Sequence, residues 1–109
     1  MKEVKAYITK HKLDQVARAL HKVEGLTGMS VIECRGYGLG WASAKTPQQL
    51  DFQTGVKLEI ICRDDLVKKV IETIEKSART GLKGDGKIYV SDIVQAVRIS
   101  TGERGERAV

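Results

Sequence analysis

Proline occurs once, at Pro47, and large rings are scarce: one Trp, one Phe and three Tyr in 109 residues. A chain so poor in aromatics must build its core from Val, Ile, Leu and Ala. The rings are scattered, so the interleaving of basic and aromatic residues typical of a nucleic-acid surface is missing. The net charge is nevertheless +5, with 19 Lys and Arg interspersed among 14 Asp and Glu; this excess suits a small anionic ligand better than a nucleic acid. No apolar run approaches the roughly 20 residues of a membrane span. Met1 to Thr9 alternates polar and apolar residues where a secretory leader carries a continuous apolar stretch. The expectation is a cytoplasmic protein that meets a membrane only through a partner. Cysteine is limited to Cys34 and Cys62, each in an apolar strand-like run without a C-x-x-C spacing, so both read as small core residues in a reducing compartment. His11 and His21 read as surface or helix-flank residues. These four are too widely separated in sequence to predict a metal centre. Neither a Ser-His-Asp nor a Cys-His nor a paired-carboxylate constellation is legible, which argues against an enzyme.

What is present is periodic. Val4, Ala6 and Ile8 alternate with polar neighbours as in a half-buried strand. Leu13, Val16, Ala17, Leu20 and Val23 then recur at helical spacing, predicting a helix from Lys12 to Glu24. Met29 to Tyr37 reads as a second strand, Gly36 to Gly55 as a long loop, and Val56 to Arg63 as a third strand. Asp64 or Asp65 offers an N-cap for a second helix with the stripe Leu66, Val67, Val70, Ile71, Ile74 and Ala78. Lys87 to Ser91 and Ile93 to Ile99 read as short strands broken near Asp92, and the polar tail 101–109 as mobile or ordered only on contact. The order β-α-β, loop, β-α-β in a chain of this length predicts one α+β domain over 1–109, a split βαβ sandwich whose four antiparallel strands carry both helices on one face. Tyr7, Thr9 and Ile61 would point to the other face, which self-association would cover.

The segment Thr80 Gly81 Leu82 Lys83 Gly84 Asp85 Gly86 Lys87 Ile88 places three glycines and two lysines beside one aspartate. Glycines let backbone N–H groups converge on an anion, and a terminal lysine adds a full charge. Gly81 to Lys87 satisfies the spacing G-x-x-x-x-G-K. It is not a P-loop, because Ile88 supplies no hydroxyl for magnesium and a strand follows where a helix N-terminus is required. Phosphate binding and a plain helix-to-strand turn capped by Gly81 both remain readings of this loop.

Six segments in order carry a resemblance: Lys12 Leu13 Asp14; Gly28 Met29 Ser30 Val31; Gly36 Tyr37 Gly38; Ala78 Arg79 Thr80 Gly81; Gly84 Asp85 Gly86 Lys87 Ile88; and Val97 Arg98 Ile99 with Thr101 Gly102 Glu103. Together they resemble the PII signal-transduction family across almost the whole chain. The resemblance implies a homotrimer of ferredoxin-like subunits with adenine-nucleotide sites in the clefts between neighbours. Thr80, Gly81, Gly84, Asp85, Gly86 and Lys87 would then form the phosphate loop, and Arg98 would add charge. Ser30 would contact the base, while Gly36, Tyr37, Gly38 and Ile61 would line the adenine side. Occupancy by ATP, ADP or AMP would set the conformation of a loop at about 39–54, which docks on a transporter or enzyme.

The departures bear on the signal. The family's usual arginine and glutamine after Gly38 are replaced by Leu39 and Gly40, and a lysine that pairs with 2-oxoglutarate aligns with Gly55. The glutamine normally helps to position magnesium, so a role for magnesium stays open. Ser100 stands at a second basic position, which should weaken a preference for ATP. The loop is about four residues shorter than usual and has no tyrosine from Leu39 to Thr54, so uridylylation is not expected. Ser43 reads as an ordinary loop residue rather than a phosphorylation site. Trp41 and Phe52 are either partner anchors or fold back on the assembly. The alternatives are a sensor of bicarbonate or metal efflux in place of nitrogen status and, further off, a phosphate-acting enzyme.

Overall fold

A computed structural model describes residues 1–37 and 52–109. Strand β1 (Lys2–Thr9) runs through a 3-10 turn (Lys10–Lys12) into helix α1 (Leu13–His21); β2 (Ser30–Gly36) and β3 (Gln53–Cys62) follow. A second 3-10 turn (Asp64–Leu66) leads into α2 (Val67–Ala78), then β4 (Lys87–Asp92) and a C-terminal 3-10 turn (Gly105–Ala108). The sheet order is β2-β3-β1-β4, antiparallel throughout. This is the ferredoxin-like α+β arrangement.

The alternation of apolar residues decides which face is covered. Val4, Ala6, Ile8, Val56, Leu58, Ile60 and Cys62 are buried on one face of the sheet, against Val16 and Leu20 of α1 and Val70 and Ile74 of α2. Burying an aliphatic side chain of this kind stabilises by about 1.5–3 kcal/mol, so these central rows hold the fold. On the opposite face Tyr7 pairs with Lys57 and Lys87, Glu3 with Ile61, and Thr9 with Gly55. Tyr7, Thr9 and Ile61 therefore stand where the alternation placed them, only half-buried. Tyr7 meets Tyr89 edge-on at 6.2 Å, and Lys57 pairs with Glu59 at 2.9 Å.

Five expectations are corrected. The first helix is shorter than Lys12 to Glu24, because the 3-10 turn precedes it and Gly25, at φ +88°, follows its end. The third strand starts at Gln53 rather than Val56, since Gly36 pairs with Gln53 and Arg35 with Thr54; the loop predicted over 39–54 thus yields Gln53 and Thr54 to the sheet. Neither Asp64 nor Asp65 caps α2, which the chain enters through the 3-10 turn without a side-chain cap. Cys34 is partly exposed, on edge strand β2 and the helix-free face, whereas Cys62 is buried as expected. Finally, Ile93 to Ile99 forms no strand. β4 ends at Asp92 opposite Lys2, Ile93 N–H reaches the Met1 carbonyl at 3.1 Å, and β1 offers nothing further to pair with. The segment instead turns at Gly102: Arg98 N–H donates to the Glu103 carbonyl at 2.9 Å, Gly102 N–H to that of Arg98 at 2.8 Å, and Val97 bridges Arg104. The tail, which read as mobile or ordered only on contact, follows this turn with the 3-10 turn Gly105–Ala108.

Candidate functional site

The antiparallel register gathers three features at one end of the sheet. β1 ends and β4 begins there, because Tyr7 pairs with Lys87; β2 ends and β3 begins there, because Gly36 pairs with Gln53. The mouth of segment 38–51 and the glycine loop 79–86 therefore share an end, with Lys10, His11 and Lys12 in the turn leaving β1.

The glycine loop is built around one carboxylate. Asp85 Oδ2 accepts the N–H groups of Thr80 at 2.8 Å and Gly81 at 2.9 Å, and Oδ1 accepts the Thr80 hydroxyl. The Thr80 hydroxyl oxygen in turn accepts Leu82 N–H at 3.1 Å. Gly81, Gly84 and Gly86 all have positive φ, which lets the chain reverse in so few residues. Gly86 crosses directly over the Tyr7 carbonyl, so close that a Cβ there would lie 2.7 Å from the carbonyl carbon. Lys87 follows, exposed, as the first residue of β4. Between this loop and α2 lies a groove of 270 Å³, floored by Ile74, Ala78 and Ile88 and rimmed by Glu75, Arg79 and Lys87.

The Asp85 carboxyl is held below its ordinary value of 3.8, first by the Thr80 hydroxyl, then by the Thr80 and Gly81 N–H groups, with the Lys12 charge adding to the effect. A depressed carboxyl contributes order that is complete above its ordinary value and is lost as pH falls through the lower folded value. The Thr80 and Gly81 amide resonances should therefore move with acid in one step with a midpoint below pH 3.8, and Asp85→Asn should remove that step.

Of the residues expected to form a site, the structure brings together Thr80, Gly81, Gly84, Asp85, Gly86 and Lys87, and sets Gly36 and Tyr37 at the same end of the sheet. Ser30 pairs with Glu59, and Ile61 with Glu3, toward the far end. By strand spacing each lies roughly 16 Å from Lys87 within one copy. Arg98 sits in the C-terminal turn. Gly38 and Trp41 lie outside the described residues. Phe52 rests on its own chain, 5.9 Å from the Tyr37 ring and with the Arg35 guanidinium 4.6 Å above it. Sequence reading missed Lys12 and the Tyr7 carbonyl, which join the loop only through the β1–β4 register; Arg35 carried a signal, two residues before Tyr37 and thus on the rim of the same hairpin. Among the described residues no three His, Cys, Asp or Glu side chains gather as a metal site, and no helix is long and apolar enough to cross a membrane.

Comparison with known proteins agrees with this architecture. The family model of the nitrogen regulatory protein P-II matches residues 1–103. The nitrogen regulatory protein P-II of Bradyrhizobium diazoefficiens is 44% identical and that of Rhodospirillum rubrum 42%, each over 113 aligned positions covering all of both chains. The crystal structure of Arabidopsis thaliana PII bound to citrate superposes with a TM-score of 0.83 at 39% identity, covering 99% of this chain and 91% of that one. This chain belongs to the nitrogen regulatory protein P-II family of signal-transduction regulators.

Proposed function

We propose that this regulator is a homotrimeric sensor that binds adenine nucleotides in clefts between copies and controls a transporter or metabolic enzyme through the loop at about 39–54. The observation that carries the reading is the shared end of the sheet: a loop of positive-φ glycines closing on the exposed Lys87 lies at the same end as the mouth of segment 38–51. An anion seated there can bias that segment if it binds one loop state better than another. The trimer is supported by what one copy leaves apart. Ser30 and Ile61 lie roughly 16 Å from Lys87 within one copy, and closed cyclic symmetry would let a neighbouring copy bring its own Ser30, Ile61 and Arg98 to the same nucleotide, identically for every subunit. The citrate on the Arabidopsis relative is a small polycarboxylate, the kind of anion that such a cationic, glycine-lined cleft favours.

The second signal departs from 2-oxoglutarate, because Leu39, Gly40 and Gly55 offer neither the amide nor the ammonium that would hold it. Calorimetric titration with ATP, ADP and AMP, each repeated with magnesium plus 2-oxoglutarate and with bicarbonate, tests both points. Binding of adenine nucleotide without a magnesium-dependent gain from 2-oxoglutarate is expected. A gain of roughly tenfold, about 1.4 kcal/mol, would refute the assignment of those three positions. Sedimentation should give a particle of three 12.0 kDa chains; a lone subunit would end the reading.

A further inference from the structure

Asp85 is the only acidic residue between Arg79 and Lys87, and a carboxylate is an unwelcome neighbour for a phosphate. Its oxygens are engaged by the loop itself. Two consecutive N–H groups, from Thr80 and Gly81, converge on Oδ2, and the Thr80 hydroxyl closes on Oδ1. Consecutive backbone donors joined by a hydroxyl are how a loop grips a bound phosphate; here the gripped anion belongs to the chain. The same hydroxyl also receives Leu82 N–H, so one carboxylate organises the loop from Thr80 to Leu82 and fixes where the chain must re-enter at Gly86.

We propose that Asp85 is a positioning residue: its carboxylate takes the place of a phosphate at the Thr80–Gly81 end of the loop and so holds Gly84, Gly86 and Lys87 in the arrangement that receives an external nucleotide phosphate. The inference rests on the nucleotide reading above and goes beyond it, because it removes the Asp85 side chain from direct contact with the ligand. It also fixes the sign of an experiment. If Asp85 acted on the ligand only through its charge, neutralising it would relieve repulsion and tighten binding several-fold. If it holds the loop, neutralising it removes the charge and one of the two acceptor oxygens, so that either the paired N–H groups or the Thr80 hydroxyl hydrogen loses its acceptor, and binding weakens.

The test is calorimetry on the full-length protein, wild type, Asp85→Asn, Thr80→Val and the double variant, titrated with ATP, ADP and AMP well below each thermal midpoint. Asp85→Asn should weaken the nucleotides by roughly tenfold or more, as expected for hydrogen bonds to a charged group. Thr80→Val should weaken them in the same direction. The double variant should be little worse than the worse single, because both changes break one network. Asp85→Asn binding as tightly as wild type, or more tightly, would overturn the proposal even if its thermal midpoint fell, and so would strictly additive losses. Wild type that binds no adenine nucleotide would overturn the nucleotide reading and this proposal with it. The two failures are therefore told apart by the wild-type titration.

Discussion

Alanine at Gly86 should unfold the loop or the whole domain, with a loss of several kcal/mol in denaturant titration. Two costs add at this one residue. Its φ of +103° lies in a region that L side chains rarely adopt, which costs roughly 1–2 kcal/mol. The new methyl would also press on the Tyr7 carbonyl, 2.7 Å from its carbon and closer still to its oxygen. That carbonyl cannot retreat, because Tyr7 is paired on both sides, to Lys57 and to Lys87. Gly81 provides the control: its φ is +86°, yet a Cβ there would meet nothing within 4 Å, so Gly81→Ala should lose only the conformational part, roughly 1–2 kcal/mol. Against a typical total of about 5–15 kcal/mol, the difference between the two is readily measured. A Gly86→Ala protein as stable as Gly81→Ala would mean that the loop does not cross β1 as described.

Lys87→Ala should weaken ATP, ADP and AMP alike by roughly 10- to 150-fold, corresponding to about 1.5–3 kcal/mol for a charge-assisted contact. Its position makes it the best placed of the loop's cations. Lys83 stands at the loop's exposed tip, whereas the backbone of Lys87 is fixed in the ladder opposite Tyr7 while its side chain is exposed. A charge on a rigid strand gives up less conformational freedom on binding than one on a loop. Lys87→Arg should keep much of the affinity, since the charge survives and only the shape of the donor changes. Titration calorimetry of the three proteins decides the matter, and unchanged affinities for Lys87→Ala would remove this residue from the site.

The central elements were legible because their apolar residues alternate or recur at helical spacing and are buried together: Val4, Ala6 and Ile8, the row from Val56 to Cys62, and Val16, Leu20, Val70 and Ile74 of the two helices all lie where periodicity placed them. Misreadings fell where pairing, not pattern, decides. Ile93 to Ile99 has strand-like composition, yet β1 has no residues left to pair with it. Gln53 and Thr54 look like loop residues, yet Gly36 and Arg35 pair with them. Cys34 sits in an apolar run, but on an edge strand and the face without helices. The candidate site divides in the same way. Its glycines and lysines announced an anion-compatible loop, whereas the closure of that loop around Asp85 and its crossing over Tyr7 depend on contacts between distant segments that no local spacing encodes.

The C-terminal segment, which adds no strand to the sheet, bears on how the protein survives dilution. Val94 and Ile99 remain 93% and 99% in contact with solvent, and each forgoes the roughly 1.5–3 kcal/mol that burial would return. Any association that covers them ties melting temperature to protein concentration. A solitary copy would be the fragile and sticky species, so low abundance, rather than heat alone, would threaten this regulator.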